Sequence, residues 1–145
     1  MEFQNYINGK WTAAFLQYQY RTGKKQFPPP LILASAKQPA FDRWYDRYRP
    51  DVIVSVDRFG LGLLLARGLK IPGEVGYASL DVDGNAKDYP DVSGIDQNSK
   101  IVGAAAVDLL VAAIHRGQRG IPSHPLRAEV EGTWIAGNST ARRNA

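Results

Sequence analysis

No cysteine occurs among the 145 residues, which excludes disulfides and thiol catalysis and leaves the redox compartment open. No apolar run is long enough to span a bilayer, so no membrane partner is expected. The opening Met1-Glu2-Phe3-Gln4-Asn5 has neither a basic n-region nor an apolar h-region, so a signal peptide is not expected and a cytoplasmic location is. Histidine is scarce: His115 and His124 have no Ser or Cys partner at a strand end and no metal-ligand spacing. Both are expected at the surface, and neither a metal nor a cofactor is implied. Internal repeats are missing, and low complexity is confined to Pro28-Pro29-Pro30. A concentrated charge of one sign is missing too. The net charge is +4, but Lys and Arg are scattered (Lys24-Lys25, Arg43, Arg47, Arg49, Arg142-Arg143), which fits a solvated basic surface better than a nucleic-acid face.

What is present is an ordinary globular composition, 44% hydrophobic and 22% charged, in a length that makes one domain or one lobe of a larger one. A chain of about 150 residues hides roughly 70% of its unfolded surface, so a real core is attainable. Residues 1–10 read as extended or disordered, with Asn8-Gly9 as a turn signal. Trp11 to Tyr20 reads as a helix, with Trp11, Ala14, Phe15 and Tyr18 on one face. After a proline linker come a short strand (Leu31–Ala34), a helix from Pro39 to Arg49 with Phe41, Trp44, Tyr45 and Tyr48 on one face, a strand (Val52–Val56) and a Leu-rich helix (Phe59–Leu69). Strands at Val75–Leu80 and Val92–Ile95 follow. The longest helix is Ser99 to Arg116, with Ser99 as the expected N-cap. A terminal strand is expected within Arg127–Ile135, and the tail after Gly137 is polar. Strands alternating with helices predict an α/β fold, a three-layer parallel sheet with helices on both faces.

Two of these strands end alike. Val52-Ile53-Val54-Ser55-Val56 stops at Asp57, and Val75-Gly76-Tyr77-Ala78-Ser79-Leu80 stops at Asp81. In open α/β sheets ligands bind at the carboxyl ends of the strands, so the two aspartates are candidates for one crevice. The long helix carries a second signal. From Ile101 to Ile114 its one charged residue is Asp108, whereas a surface helix has a polar half. Either it is the central helix of an α/β layer, or its cover lies outside this chain.

The order of segments resembles the C-terminal part of the effector domain of the LacI/GalR family of transcriptional regulators, which is periplasmic-binding-protein-like (type I). The residues that carry the resemblance are Arg49-Pro50-Asp51 through Asp57 followed by Gly60-Leu61-Gly62, then Gly68 to Val75, Gly76 to Asp81, Val92 to Gln97, and Gly103 to Leu110. The resemblance covers Trp11 to about Thr140. It implies that residues 1–97 form the C-terminal lobe of an effector-binding domain, and that 98–145 supply a crossover helix, a strand and a tail belonging to the N-terminal lobe. The family's helix-turn-helix and most of its first lobe have no counterpart here. That gives the long helix a reason to be so apolar: its usual cover is not in this sequence.

The resemblance also implies a site. Asp81 stands where the family has an aspartate that accepts hydrogen bonds from sugar hydroxyls or a purine-type effector, a task for an acceptor-only group whose charge-assisted bonds contribute about 1.5–3 kcal/mol each. Asp57 stands at the family's Asn-Asp pair, though it could equally cap the following helix. Val56 replaces the pair's Asn, so the effector contacts must differ. Gln97 matches the crossover glutamine. Where many members have an effector-contacting Arg, this sequence has Ile7. Trp11 and Trp44 are expected in the core. The family's dimer contacts correspond to Phe59–Leu69 and Gly84–Pro90, with Phe59 and Tyr89 as anchors of a homodimer. The implied partners are a small polar effector, carbohydrate in the first instance, and DNA through the helix-turn-helix that this sequence lacks.

Other readings compete. Leu80-Asp81-Val82-Asp83-Gly84 looks like the nucleophile motif of haloacid-dehalogenase-type phosphatases, with Asp81 attacking phosphorus and Asp83 handling the leaving-group proton. That motif normally opens its domain and needs later residues that are missing here, so a non-enzyme is expected. A periplasmic-type sugar-binding protein would share the fold but carry a signal peptide.

Overall fold

A computed structural model describes residues 2–23, 27–32, 38–56, 58–82 and 91–141. The chain divides into two compact units, Met1–Pro50 and Asp51–Ala145.

The first unit holds two helices, α1 (Glu2–Thr22) and α2 (Gln38–Tyr48). Helix α1 starts well before Trp11, through residues expected to be extended. A helix tolerates one interior glycine at about 1 kcal/mol, so Asn8-Gly9 does not stop it. Thr22 Oγ1 donates to Tyr18 O at 3.0 Å near the end of the helix, and Gly23 follows with a positive φ of 62°. The aromatic face of α2 forms as expected. Phe41 and Tyr45 are buried and stacked, with ring centroids 6.0 Å apart. Trp44 lies 6.0 Å from Tyr48 and donates its indole N–H to Pro29 O at 2.9 Å. Phe27 sits edge-on to Phe15. Trp11, expected in the core, remains 40% exposed. Of the expected strand at Leu31–Ala34, residues 31 and 32 are coil and the rest lies outside the described residues.

The second unit is built on a four-stranded sheet in the order β1 (Val52–Ser55), β2 (Gly76–Ser79), β3 (Ser93–Asp96), β4 (Thr133–Ile135). The first three strands are parallel. The fourth pairs antiparallel with β3, so the α/β fold expected from the sequence carries a mixed sheet and not a wholly parallel one. Helix α3 (Phe59–Ala66) packs against β1. It stops short of the expected Leu69 because Gly68, with φ 75°, forms a Schellman cap: Gly68 N–H donates to Leu65 O at 2.9 Å and Leu69 N–H to Leu64 O at 3.3 Å. The core gathers Ile53, Leu61, Leu63, Leu64, Val75, Tyr77, Ala78, Val82 and Val92, all buried. On β1 Ile53 is buried and the half-buried Ser55 shares its face, while Val52 and Val54 point the other way and are exposed.

The β2–β3 ladder is short, pairing Ala78 with Ser93 and Ser79 with Gly94. The polar tail completes it. Ser139 O accepts from Tyr77 N at 2.7 Å, and Ser139 Oγ donates to Tyr77 O at 2.7 Å while accepting from Ser93 N at 2.8 Å. Ser93 Oγ meets Thr140 Oγ1 at 2.9 Å. Buried backbone groups need partners, and here one small hydroxyl supplies them on two strands at once.

Helix α4 (Ser99–His115) ends in the same kind of cap as α3, at Gly117. No residue of α4 is buried. Ile101 is 56% exposed, Leu110 60% and Ile114 66%. An all-round apolar helix belongs between layers, and among the described residues none covers this one closely enough to bury a side chain.

Candidate functional site

Because β1, β2 and β3 run parallel, their carboxyl ends lie along one edge of the sheet. At that edge the chain after β2 makes a tight polar turn. Ser79 Oγ donates to Asp81 O at 2.9 Å and accepts from Asp81 N at 3.2 Å. A serine hydroxyl that bonds the backbone two residues on stands in for a turn. Leu80 N–H donates to Ser55 O at the end of β1, and Val82 N–H to Ile95 O on β3, both at 2.8 Å. The turn carrying Asp81 is thus tied to the strands on either side.

Gln97, just past β3, donates its Nε2 to Leu80 O at 3.1 Å. The structure therefore brings Gln97 beside the peptide that immediately precedes Asp81. Both side chains are exposed. The Asp81 carboxylate makes no hydrogen bond or ion pair among the described residues, and it can accept donors from a ligand. Asp57, Asp83 and Tyr89 lie outside the described residues. Phe59 opens α3 and is 41% exposed. Among the described residues there is no cluster of His, Cys, Asp or Glu fit to hold a metal, and no helix long and apolar enough to cross a membrane. His115 and His124 are exposed, the latter with Nδ1 3.1 Å from Ser123 Oγ. Trp134, on β4, is also exposed.

Asn98 is a further residue at this edge, not expected from the sequence. It, and not Ser99, occupies the N-cap of α4, in a left-handed conformation with φ 53° and ψ 46°. Asparagine is one of the few residues that visits this region readily, a signal the sequence did contain. Its backbone N–H donates to Asp96 Oδ1 at 2.8 Å.

No family model matches the sequence, and no curated protein does. Two solved structures are similar. One is a transcription regulator like protein from Staphylococcus haemolyticus, with a TM-score of 0.54 at 18% identity. The other is a PurR family transcriptional regulator from Vibrio parahaemolyticus RIMD 2210633, with a TM-score of 0.52 at 19% identity. The chain has the periplasmic-binding-protein-like fold of these regulators. Each match takes in 73% of this chain and 39% of the regulator, so the chain spans about two fifths of a regulator's length. At this identity the likeness is one of fold. In that fold the edge bearing Asp81 and Gln97 is where the general rule for open α/β sheets puts a ligand.

Proposed function

We propose that this chain is the C-terminal part of the effector-binding domain of a LacI/GalR-type regulator. Residues 1–97 form one lobe, and 98–145 carry the crossover helix, strand and tail that belong with the other. The effector is a small polar molecule, a carbohydrate in the first instance, with Asp81 and Asp57 accepting its hydrogen bonds and Gln97 contacting it near the crossover. Its binding favours one arrangement of the lobes and so changes the DNA affinity of a helix-turn-helix carried elsewhere in the regulator. The coupling equals the difference in effector affinity between arrangements. Phe59 and Tyr89 anchor a homodimer, and the location is cytoplasmic. No catalysis is assigned.

The observation that carries this reading is the adjacency of Asp81 and Gln97 on a regulator-like fold, linked through the Leu80 carbonyl at 3.1 Å. The uncovered α4 supports it as well, since a chain spanning 39% of a regulator lacks the layers that would cover that helix. Half a crevice binds weakly. Calorimetry of the 145-residue chain against ribose, glucose, galactose and hypoxanthine is expected to show no submicromolar binding. Submicromolar binding of any of them would mean that the pocket is complete in this chain and that the two-lobe reading is wrong.

A further inference from the structure

The chain leaves the sheet through the end of β3 toward α4 and comes back through the segment that enters β4. These two crossings run antiparallel, with Asp96 opposite Thr133 and Gly94 opposite Ile135. Asn98 sits at the departure point, and its side chain reaches across. Nδ2 donates to Glu131 O at 2.8 Å and to Thr133 Oγ1 at 3.0 Å. No side-chain capping bond is made to α4 itself. Its carbonyl meanwhile accepts from Ile101 N at 2.8 Å and from Val102 N at 3.0 Å, which starts α4. One residue thus holds the end of β3, the first turn of α4 and the returning segment.

We propose that Asn98 is a positioning residue that staples the outgoing and returning crossings into one hinge and so sets the direction in which α4 leaves the sheet. No residue of helix α4 is buried, so packing holds it only weakly. Its direction depends on this corner. The left-handed backbone lets Asn98 serve both sides: the carbonyl faces the helix while the side-chain amide faces the returning segment. That this corner lies between lobes rests on the function proposed above, but the staple itself is a property of the chain as it stands.

The test is residue-resolved amide exchange on the 145-residue chain without effector. Asn98→Gly keeps the left-handed backbone available and removes both side-chain bonds. Each bond is of the ordinary strength of a polar contact, so exchange of the Ile101, Val102 and β4 amides should speed up together by about tenfold. The β1–β2 amides should keep their rates. Thr133→Val removes one bond and should speed up the same amides by a smaller factor. Unchanged rates at α4 and β4, or acceleration spread equally over β1 and β2, would overturn the proposal. If Asn98→Gly fails to fold by circular dichroism, Thr133→Val decides by the same criteria. Since no effector is present, failure here leaves the effector reading to the calorimetry, and tight binding there leaves the staple untouched.

Discussion

Two stretches of this chain are about equally apolar and meet opposite fates. Val75 to Ala78, with Val92, disappears into the core of the second unit, where Tyr77 and Val75 are fully buried. Ile101 to Ile114 lies in a regular helix, capped at its C-terminus by Gly117, in which no residue is buried. The contrast separates what makes an element from what stabilises it. Capping and local propensity suffice to draw α4, but the favourable term of about 25 cal/mol per Å² accrues only where water is removed. On β2 a neighbour lies on every side: β1, β3 and the returning Ser139. On α4 no residue is buried.

Substitutions in the two regions should break the comparison in a definite order. The largest effect is expected at Gly94, where a Cβ would run into Ser79 O and the Val82 side chain. The first of these is backbone and cannot move aside. Gly94→Ala is expected to cost more than about 4 kcal/mol and to abolish cooperative unfolding of the second unit by urea. Next comes Leu64→Ala, which empties a fully buried position and should cost about 2–5 kcal/mol by the same titration. Ser139→Ala removes the hydroxyl that serves Tyr77 O and Ser93 N–H and should cost about 1–3 kcal/mol. Smallest is Leu110→Ala on α4. It should change stability by no more than about 0.5 kcal/mol although it deletes the same atoms as Leu64→Ala. Equal losses at Leu64 and Leu110 would erase the distinction between the two regions.

The same contrast explains what the sequence disclosed. The interiors of α2, α3, β1, β2, β3 and α4 were legible because their periodicity and length are local properties. Misread features depended on contacts at a distance or on a single cap. The polar tail Asn138-Ser139-Thr140 looks like a solvated end, and nothing in its composition says that it will serve two buried strands. The returning strand was expected across Arg127–Ile135, but the part that pairs is Thr133–Ile135, because β3 offers only Gly94 to Asp96 as partners. Helix α1 ran through a turn signal that the surrounding residues outweighed. At the site, the strand-end position of Asp81 followed from the apolar run before it. Its proximity to Gln97 did not, since the two are joined by the β2–β3 pairing and not by sequence spacing. Asn98 was hidden by Ser99, an equally good N-cap by type but one residue too late.

Residue-resolved hydroxyl-radical footprinting of α4 tests directly whether its cover lies outside this chain. It would be run on the 145-residue chain and on a polypeptide extended by the remaining lobe of a regulator of this fold. Heavy labelling of Ile101, Leu110 and Ile114 is expected in the chain by itself, and strong protection of all three in the extended polypeptide. Equal labelling in the two, or protection already present in the shorter chain, would contradict a cover outside this chain.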